Sequence, residues 1–292
     1  MFLRRKRNLM MNVFFIPAMV LFAIFVVYPF LNGVRLSFTN WNGYSPHMKN
    51  IGLMNYKRMF TDKNVLVAFR NTLIYGFGST LIQNVFGILL AVFLNSEFKG
   101  KNILRTIIYL PVMIAPLIMG YIMYFFFAYD HGAINDIIIF FGGTSVDWLM
   151  DGNRAVIILM LINSFQFIGI SMVIYLAGLQ NIPKMYYEAA AIDGSNGFEN
   201  FRYVTLPLLT PAITSAVTIN LIGGFKLFDV ISALTSGGPG YDSHSVSTLI
   251  NKLYFGSESA GYASAVGLIF FLFIIIISYF VVRMLQRKQV EM

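Results

Sequence analysis

Between two long apolar runs lies a polar stretch, Tyr187-Glu188-Ala189-Ala190-Ala191-Ile192-Asp193-Gly194, with Leu206-Pro207 following it. Residues 185–192 are alanine-rich and favour helix, while Gly194 and Asn196-Gly197 supply the left-handed or turn conformations that end one. Residues 199–204 resume a helical pattern, and Pro207 sits near the start of the next apolar run, where a missing amide donor does least harm. The expectation is a short helix, a turn and a second helix, more order than a mere connection needs. Other chemistry lacks its residues. There is no Cys for a disulfide, a thiolate ligand or a nucleophile, and His47, His131 and His244 stand in separate loops without metal-ligand spacing, so no metal site is expected. Gly100-Lys101 is followed by Asn102 and lacks the leading Gly of a phosphate-cradling loop, and no Gly-x-Ser-x-Gly elbow occurs.

The elements that must position that stretch are membrane spans. Hydrophobic residues make up 57% of the chain against 12% charged, and the mean hydropathy is +0.69, far outside a soluble globular profile. Apolar runs cover 11–31, 72–94, 104–128, 155–179, 206–228 and 262–283, each long enough at about 1.5 Å per residue to cross a hydrocarbon core of ~30 Å. The first is too long for a cleaved signal peptide, and no small-residue cleavage site follows it. Six spans place both termini on one side. Arg4-Arg5-Lys6-Arg7, Lys99, Lys101, Arg105, Lys184, Arg202, Arg283, Arg287 and Lys288 cluster in the short segments on that side, so it is read as cytoplasmic, with the Glu188 loop in the cytoplasm. The domain reading is a basic N-terminus at 1–10, a six-span body at 11–283 with the polar loop at about 180–206, and a tail at 284–292. The net charge of +8 thus reports orientation in lipid, and nucleic acid is not an expected partner. The first outer loop breaks the rule with Lys49, Lys57, Arg58, Lys63 and Arg70, while its Trp41, Tyr44 and Tyr56 suggest a folded or interfacial segment.

The spacing Glu188-Ala189-Ala190, Gly194, Val204, Leu206-Pro207 resembles the signature of membrane subunits of binding-protein-dependent ABC importers. Ala191-Ile192-Asp193-Gly194 and Leu234-Thr235-Ser236-Gly237-Gly238-Pro239-Gly240 are similar to the carbohydrate branch, the maltose and multiple-sugar type I importers. Asn55-Tyr56, Asn71-Thr72, Leu110-Pro111, Trp148-Leu149, Ala177-Gly178-Leu179-Gln180 and Gly261-Tyr262-Ala263 also sit where sugar permeases have them, whereas Phe165 stands where many carry Trp. The resemblance implies an all-α integral membrane protein with the type I permease fold of six transmembrane helices. It implies a cytoplasmic coupling helix between the fourth and fifth spans, formed by Glu188, Ala189, Ala190, Asp193, Gly194, Leu206 and Pro207, that docks into an ATPase groove. Its implied partners are a second, similar permease, two ATPase subunits and an extracytoplasmic sugar-binding protein. This chain would hold no cofactor; ATP and Mg²⁺ would sit on the ATPase.

Candidates for the cargo path are the amides inside the spans, because an amide in hydrocarbon needs a partner or water. Along the second span Gly76, Thr80, Gln83, Gly87 and Ala91 recur at helical spacing, a small-residue stripe for close helix packing that Gln83 and Asn84 interrupt. In the fourth span Asn163 and Gln166 share a face with Gly169; in the fifth, Asn220 is followed by Gly223, Gly224 and Leu227. Gln83, Asn163, Gln166 and Asn220 either bond sugar hydroxyls or bond neighbouring helices. Lys226 and Asp229, three apart, are expected to pair. Pro111 and Pro116 are expected to kink the third span and free carbonyls that something must satisfy. Gly237-Gly238-Pro239-Gly240 forces a tight turn, read either as a plain reversal or as part of the face that receives the binding protein. All 13 acidic residues fall in loops or at span ends, which disfavours an ion-coupled secondary carrier. The expected activity is import of a neutral oligosaccharide by a permease that is not itself an enzyme. A glycerol-3-phosphate-type permease is the alternative, disfavoured because no Lys or Arg lies mid-span.

Overall fold

A computed structural model describes residues 15–287; the N-terminal basic cluster Arg4–Arg7, the start of the first span and Lys288 lie outside them. The regular secondary structure of the described residues is helical, apart from one isolated antiparallel bridge between Thr39 and Asn50. Five helices are long and apolar enough to cross a membrane, or six if one sharply bent pair counts as a single span. The chain divides into two compact units.

The first unit comprises residues 15–61 and 250–270. Helix α1 (Phe15–Ser37) exposes every side chain from Phe15 to Asn32, as befits a helix whose partner is lipid or another subunit. Helix α2 (Met54–Thr61) follows a loop pinned at several points: Ile51 N donates to Phe38 O at 2.8 Å, and the buried Asn55 carboxamide donates to Ser37 O at 2.8 Å and Thr39 O at 2.9 Å. Gly261 donates its amide to Trp41 O at 2.8 Å, and a Cβ there would lie 2.2 Å from Thr39 O, so only glycine allows this approach.

The second unit, residues 62–249 and 271–287, carries the packed spans. Helix α3 (Lys63–Asn95) starts from an Asp62 cap that accepts from Asn64 N at 3.0 Å. Its small-residue stripe is buried as expected: a Cβ on Gly87 would lie 2.5 Å from Ser171 Cβ on α7 (Gly152–Gln180), and one on Gly76 would lie 2.2 Å from the Phe225 ring. After α3, Glu97 pairs with Lys101 at 2.8 Å; that hydrogen bond holds the Glu97 carboxyl below the usual carboxylate range.

The third predicted span is not one helix. Helix α4 (Lys101–Met113) and α5 (Pro116–Phe127) meet at 98°: Pro111 removes a donor from the last turn of α4, and Ile114 and Ala115, ahead of Pro116, take extended backbone at ψ 129° and 135°. Gln166 of α7 donates its amide to the carbonyl of Ile114 at 2.9 Å, within that bend. Helix α6 (Ala133–Phe140) lies in the following loop, held by Asn135, which donates to Val146 O and accepts from Trp148 Nε1, both at 3.0 Å.

Helix α8 (Lys184–Ile192) and a short helical run at 197–208 precede α9 (Thr210–Phe225), then α10 (Asp229–Leu234), α11 (Val246–Asn251) and α12 (Ala260–Gln286). The expected Lys226–Asp229 pair does not form among the described residues. The i, i+3 argument needs continuous helix, but α9 ends at Phe225 and α10 begins at Asp229, with Lys226 as the cap between them. Asn71 and Thr72 on α3 instead secure the loop between α10 and α11. Asn71 donates to Asp242 O at 2.6 Å and His244 O at 3.1 Å, and Val246 N donates to Thr72 Oγ1 at 2.9 Å.

Candidate functional site

Helix α8 ends in a two-bond cap. Gly194, at φ +79°, donates to Ala191 O at 3.1 Å and Ser195 N donates to Ala190 O at 3.0 Å, satisfying carbonyls that a terminated helix would leave bare. Glu188, Ala189, Asp193 and Gly194 are exposed, Ala190 is half-buried, and Asp193 is the capping residue. Asn196 takes neither the left-handed nor the turn conformation expected of the Asn196-Gly197 pair; its backbone is extended. It opens the next helix through a reciprocal cap with Glu199, whose carboxylate accepts from Asn196 N at 2.9 Å. The Asn-x-x-Glu spacing was legible in the sequence and was missed.

Three hydrogen bonds make this stretch one rigid piece. Tyr187 and Thr205 hydroxyls meet at 3.1 Å, and the Ser195 hydroxyl bonds both Ala190 O at 2.7 Å and Asn200 Oδ1 at 2.9 Å. Tyr187 also packs on a core of Tyr175, Leu179, Leu208 and Leu209, so α8 is riveted to the ends of α7 and α9. Leu206 is exposed and Pro207 half-buried near the base of α9. Outward, the element shows Met185 and Tyr186, with Ile192 exposed by 87% and Phe198 by 71%. Large apolar side chains on an otherwise polar, rigid loop are what a docking surface looks like.

About 15 Å further along α9, ten residues from Thr210, a cavity of about 120 Å³ opens between α3, α7 and α9. Gln83, Asn163 and Asn220 line it with Phe167, Ile219 and Gly223. Gln83 is 1% exposed; it donates to Asn163 O at 3.0 Å, while its Oε1 is buried without a partner among the described residues. Asn220 donates to Ser171 Oγ at 2.6 Å. Three neutral amides with hydrogen-bonding capacity to spare, backed by an aromatic ring, suit a polar uncharged molecule. Gln166 is not brought to this cavity: it is buried at the bend, where it serves Ile114. Phe167, one helical turn beyond Asn163, is the lining residue that periodicity could have found.

On the opposite loop the Gly237–Gly240 turn is as tight as its sequence predicts. Gly237 and Gly240 take φ +84° and +58°, the Gly238–Pro239 bond is cis, and the His244 ring lies where a Gly237 Cβ would be, at 2.1 Å. Gly238 N donates to Thr235 O at 2.8 Å and Asp242 N to Pro239 O at 3.0 Å.

Residues 83–291 match the family described as binding-protein-dependent transport system inner membrane component. The chain is 34% identical to a probable starch degradation products transport system permease protein, AmyD, of Thermoanaerobacterium thermosulfurigenes, over 98% of this chain and 97% of that one. It is likewise 34% identical to the multiple sugar-binding transport system permease protein MsmF of Streptococcus mutans, over 95% of each. Among solved structures it is similar to a bacterial alginate ABC transporter in complex with an alginate pentasaccharide-bound periplasmic protein, with a TM-score of 0.83 and 25% identity over 97% of this chain and 96% of that one. Helical architecture, multiple apolar spans and full-length likeness agree: the chain belongs to the binding-protein-dependent transport system inner membrane components, as a multi-pass permease subunit of an ABC importer whose ATPase is a separate chain.

Proposed function

We propose that this permease passes a neutral oligosaccharide from an extracytoplasmic binding protein to the cytoplasm, driven by ATP and Mg²⁺ on two ATPase subunits that dock against α8. In this reading the bent pair α4–α5 is one span, so the chain crosses six times with both termini and α8 in the cytoplasm. A second, similar permease completes the path, and Gly237, Gly238, Pro239 and Gly240 belong to the face that meets the binding protein. The observation that carries the reading is the rigid, exposed element at 184–205, apolar on its outer side and fixed to the base of a span that lines a polar cavity. ATPase closure pushes α8, the Tyr187–Thr205 and Ser195–Asn200 links transmit the push to α9, and Asn220 and Gly223 move with it.

The cavity supports the substrate class. Its lining is free of charge, which suits the neutral products of starch, the cargo in the name of AmyD, better than an acidic polysaccharide or a phosphate. At about 120 Å³ it is smaller than the ~300–1,000 Å³ of sites that enclose whole ligands, consistent with one wall of a path that a second subunit completes. The test is a pull-down from mildly solubilised membranes. The wild type is expected to recover an ATPase and a second permease; Glu188→Ala weakens ATPase recovery by on the order of 1 kcal/mol, the worth of an exposed ion pair, with unchanged thermal stability. Gly194→Asp, forced to φ +79°, weakens it further. Purification as a lone homo-oligomer that still transports sinks the reading.

A further inference from the structure

We propose that the first unit carries a separate subsite for one saccharide ring, between the segment at 40–58, which ends in α2, and the start of α12. A cavity of about 260 Å³ opens there, lined by Trp41, Asn55, Arg58, Glu258 and Tyr262 among others, all within that unit. It has no part in the docking element or the intramembrane cavity, and most of its lining comes from the segment whose basic and aromatic content the topology left unexplained.

The walls are built before any ligand arrives. Trp41 donates Nε1 to Ser45 O at 2.8 Å and accepts from Gly261 N at 2.8 Å, so its polar edge is spent and its ring is fixed. Asn55 is buried and anchored by two backbone carbonyls. The Arg58 guanidinium lies 4.2 Å from the centroid of the Tyr262 ring, which holds it in place while leaving its N–H donors without an ion pair or hydrogen bond among the described residues. Glu258 lines the same cavity, is not paired with Arg58, and is held at φ +45°, a conformation that costs a non-glycine residue about 1–2 kcal/mol. Strain of that kind on an exposed acid beside an unpaired guanidinium marks a place kept for binding.

The combination selects a ligand class. A pyranose has an apolar C–H face that packs on a fixed aromatic ring and a belt of neighbouring hydroxyls. Adjacent hydroxyls accept from a guanidinium fork and donate to a carboxylate, which is what Trp41, Arg58 and Glu258 offer at one cavity. A space of about 260 Å³ takes a single ring, so a longer chain is gripped at one end. The preset walls hold down the ordering cost of binding. This subsite rests on the reading that the cargo is a saccharide.

The experiment uses the full chain in lipid nanodiscs with Trp148→Phe, which leaves Trp41 as the sole tryptophan of the two. Methyl α-glucopyranoside and maltotriose are titrated against Trp41 emission, with sorbitol and sodium acetate as an acyclic polyol and a simple anion. Saturation-transfer NMR on the unmodified chain gives the same comparison should Trp148→Phe disturb the fold. The expected result is a saturable response to both sugars and none to the controls, with affinity reduced about tenfold by Arg58→Met and by Glu258→Gln, the size of one hydrogen bond to a charged group. A flat titration, an equal response to sorbitol or acetate, or unchanged affinity in both variants overturns the subsite. ATP-driven sugar uptake by the reconstituted transporter alongside a flat titration sinks the subsite alone, whereas failure of that uptake sinks the transport reading.

Discussion

At Gly224 a Cβ would lie 2.8 Å from Tyr75 O and from Ser79 Oγ, whereas at neighbouring Gly223 it would meet nothing within 4 Å. Both glycines border the cavity, but only Gly224 lets α9 touch α3. Gly224→Ala is expected to lower stability by about 1–3 kcal/mol, the usual effect of overpacking, read as a drop in thermal midpoint in detergent. Gly223→Ala should stay within about 0.5 kcal/mol of wild type while narrowing the path and slowing uptake. Equal midpoints for the two would show that the helices do not meet as described. The amides taught a related lesson. Sequence placed Gln83, Asn163 and Asn220 inside the membrane, and the structure sets them around one cavity. Gln166 looked identical by spacing, but its partner is Ile114 O, fifty-two positions away in sequence, and no local pattern encodes that pairing.

The bend between α4 and α5 carries the clearest link from sequence to element. Pro111 and Pro116 announced an interruption; its 98° size was not legible, because it depends on what catches the freed carbonyls. Gln166 catches one of them, and Gly169 permits the contact, since a Cβ there would lie 2.9 Å from Ile108 O. Gln166→Leu keeps the bulk but leaves Ile114 O without its donor, so a loss of about 1–3 kcal/mol in thermal unfolding is expected. An unchanged midpoint would mean that the bend stands without this contact. For α8, alanine content and Gly194 foretold the helix and its stop, and the Asn-x-x-Glu spacing at 196–199 marks the next helix start, while the Tyr187–Thr205 link appears only in three dimensions. The Lys226–Asp229 expectation failed for a related reason: spacing means proximity only inside one helix.

Across the whole molecule, composition fixed the membrane setting and hydropathy found the long spans, but the third span was legible only as an apolar stretch broken by prolines. Sidedness is directly testable because the chain has no cysteine. Lys99→Cys, in the loop after α3, should resist a membrane-impermeant maleimide in intact cells, while Ser257→Cys, before α12, should label, and both should label after permeabilisation. The reverse pattern would invert the orientation and remove α8 from the cytoplasm.

In the proposed mechanism this permease turns ATP hydrolysis on a partner into sugar movement through the 184–205 element. Uptake of labelled maltotriose by proteoliposomes holding the complete importer and its binding protein tests it most directly. Uptake is expected to require ATP inside the vesicle and to fall about fivefold in Glu188→Ala, the equivalent of roughly 1 kcal/mol, with the assembled spans as stable as wild type. Uptake that persists without ATP or the ATPase, or that Glu188→Ala leaves untouched, would contradict it.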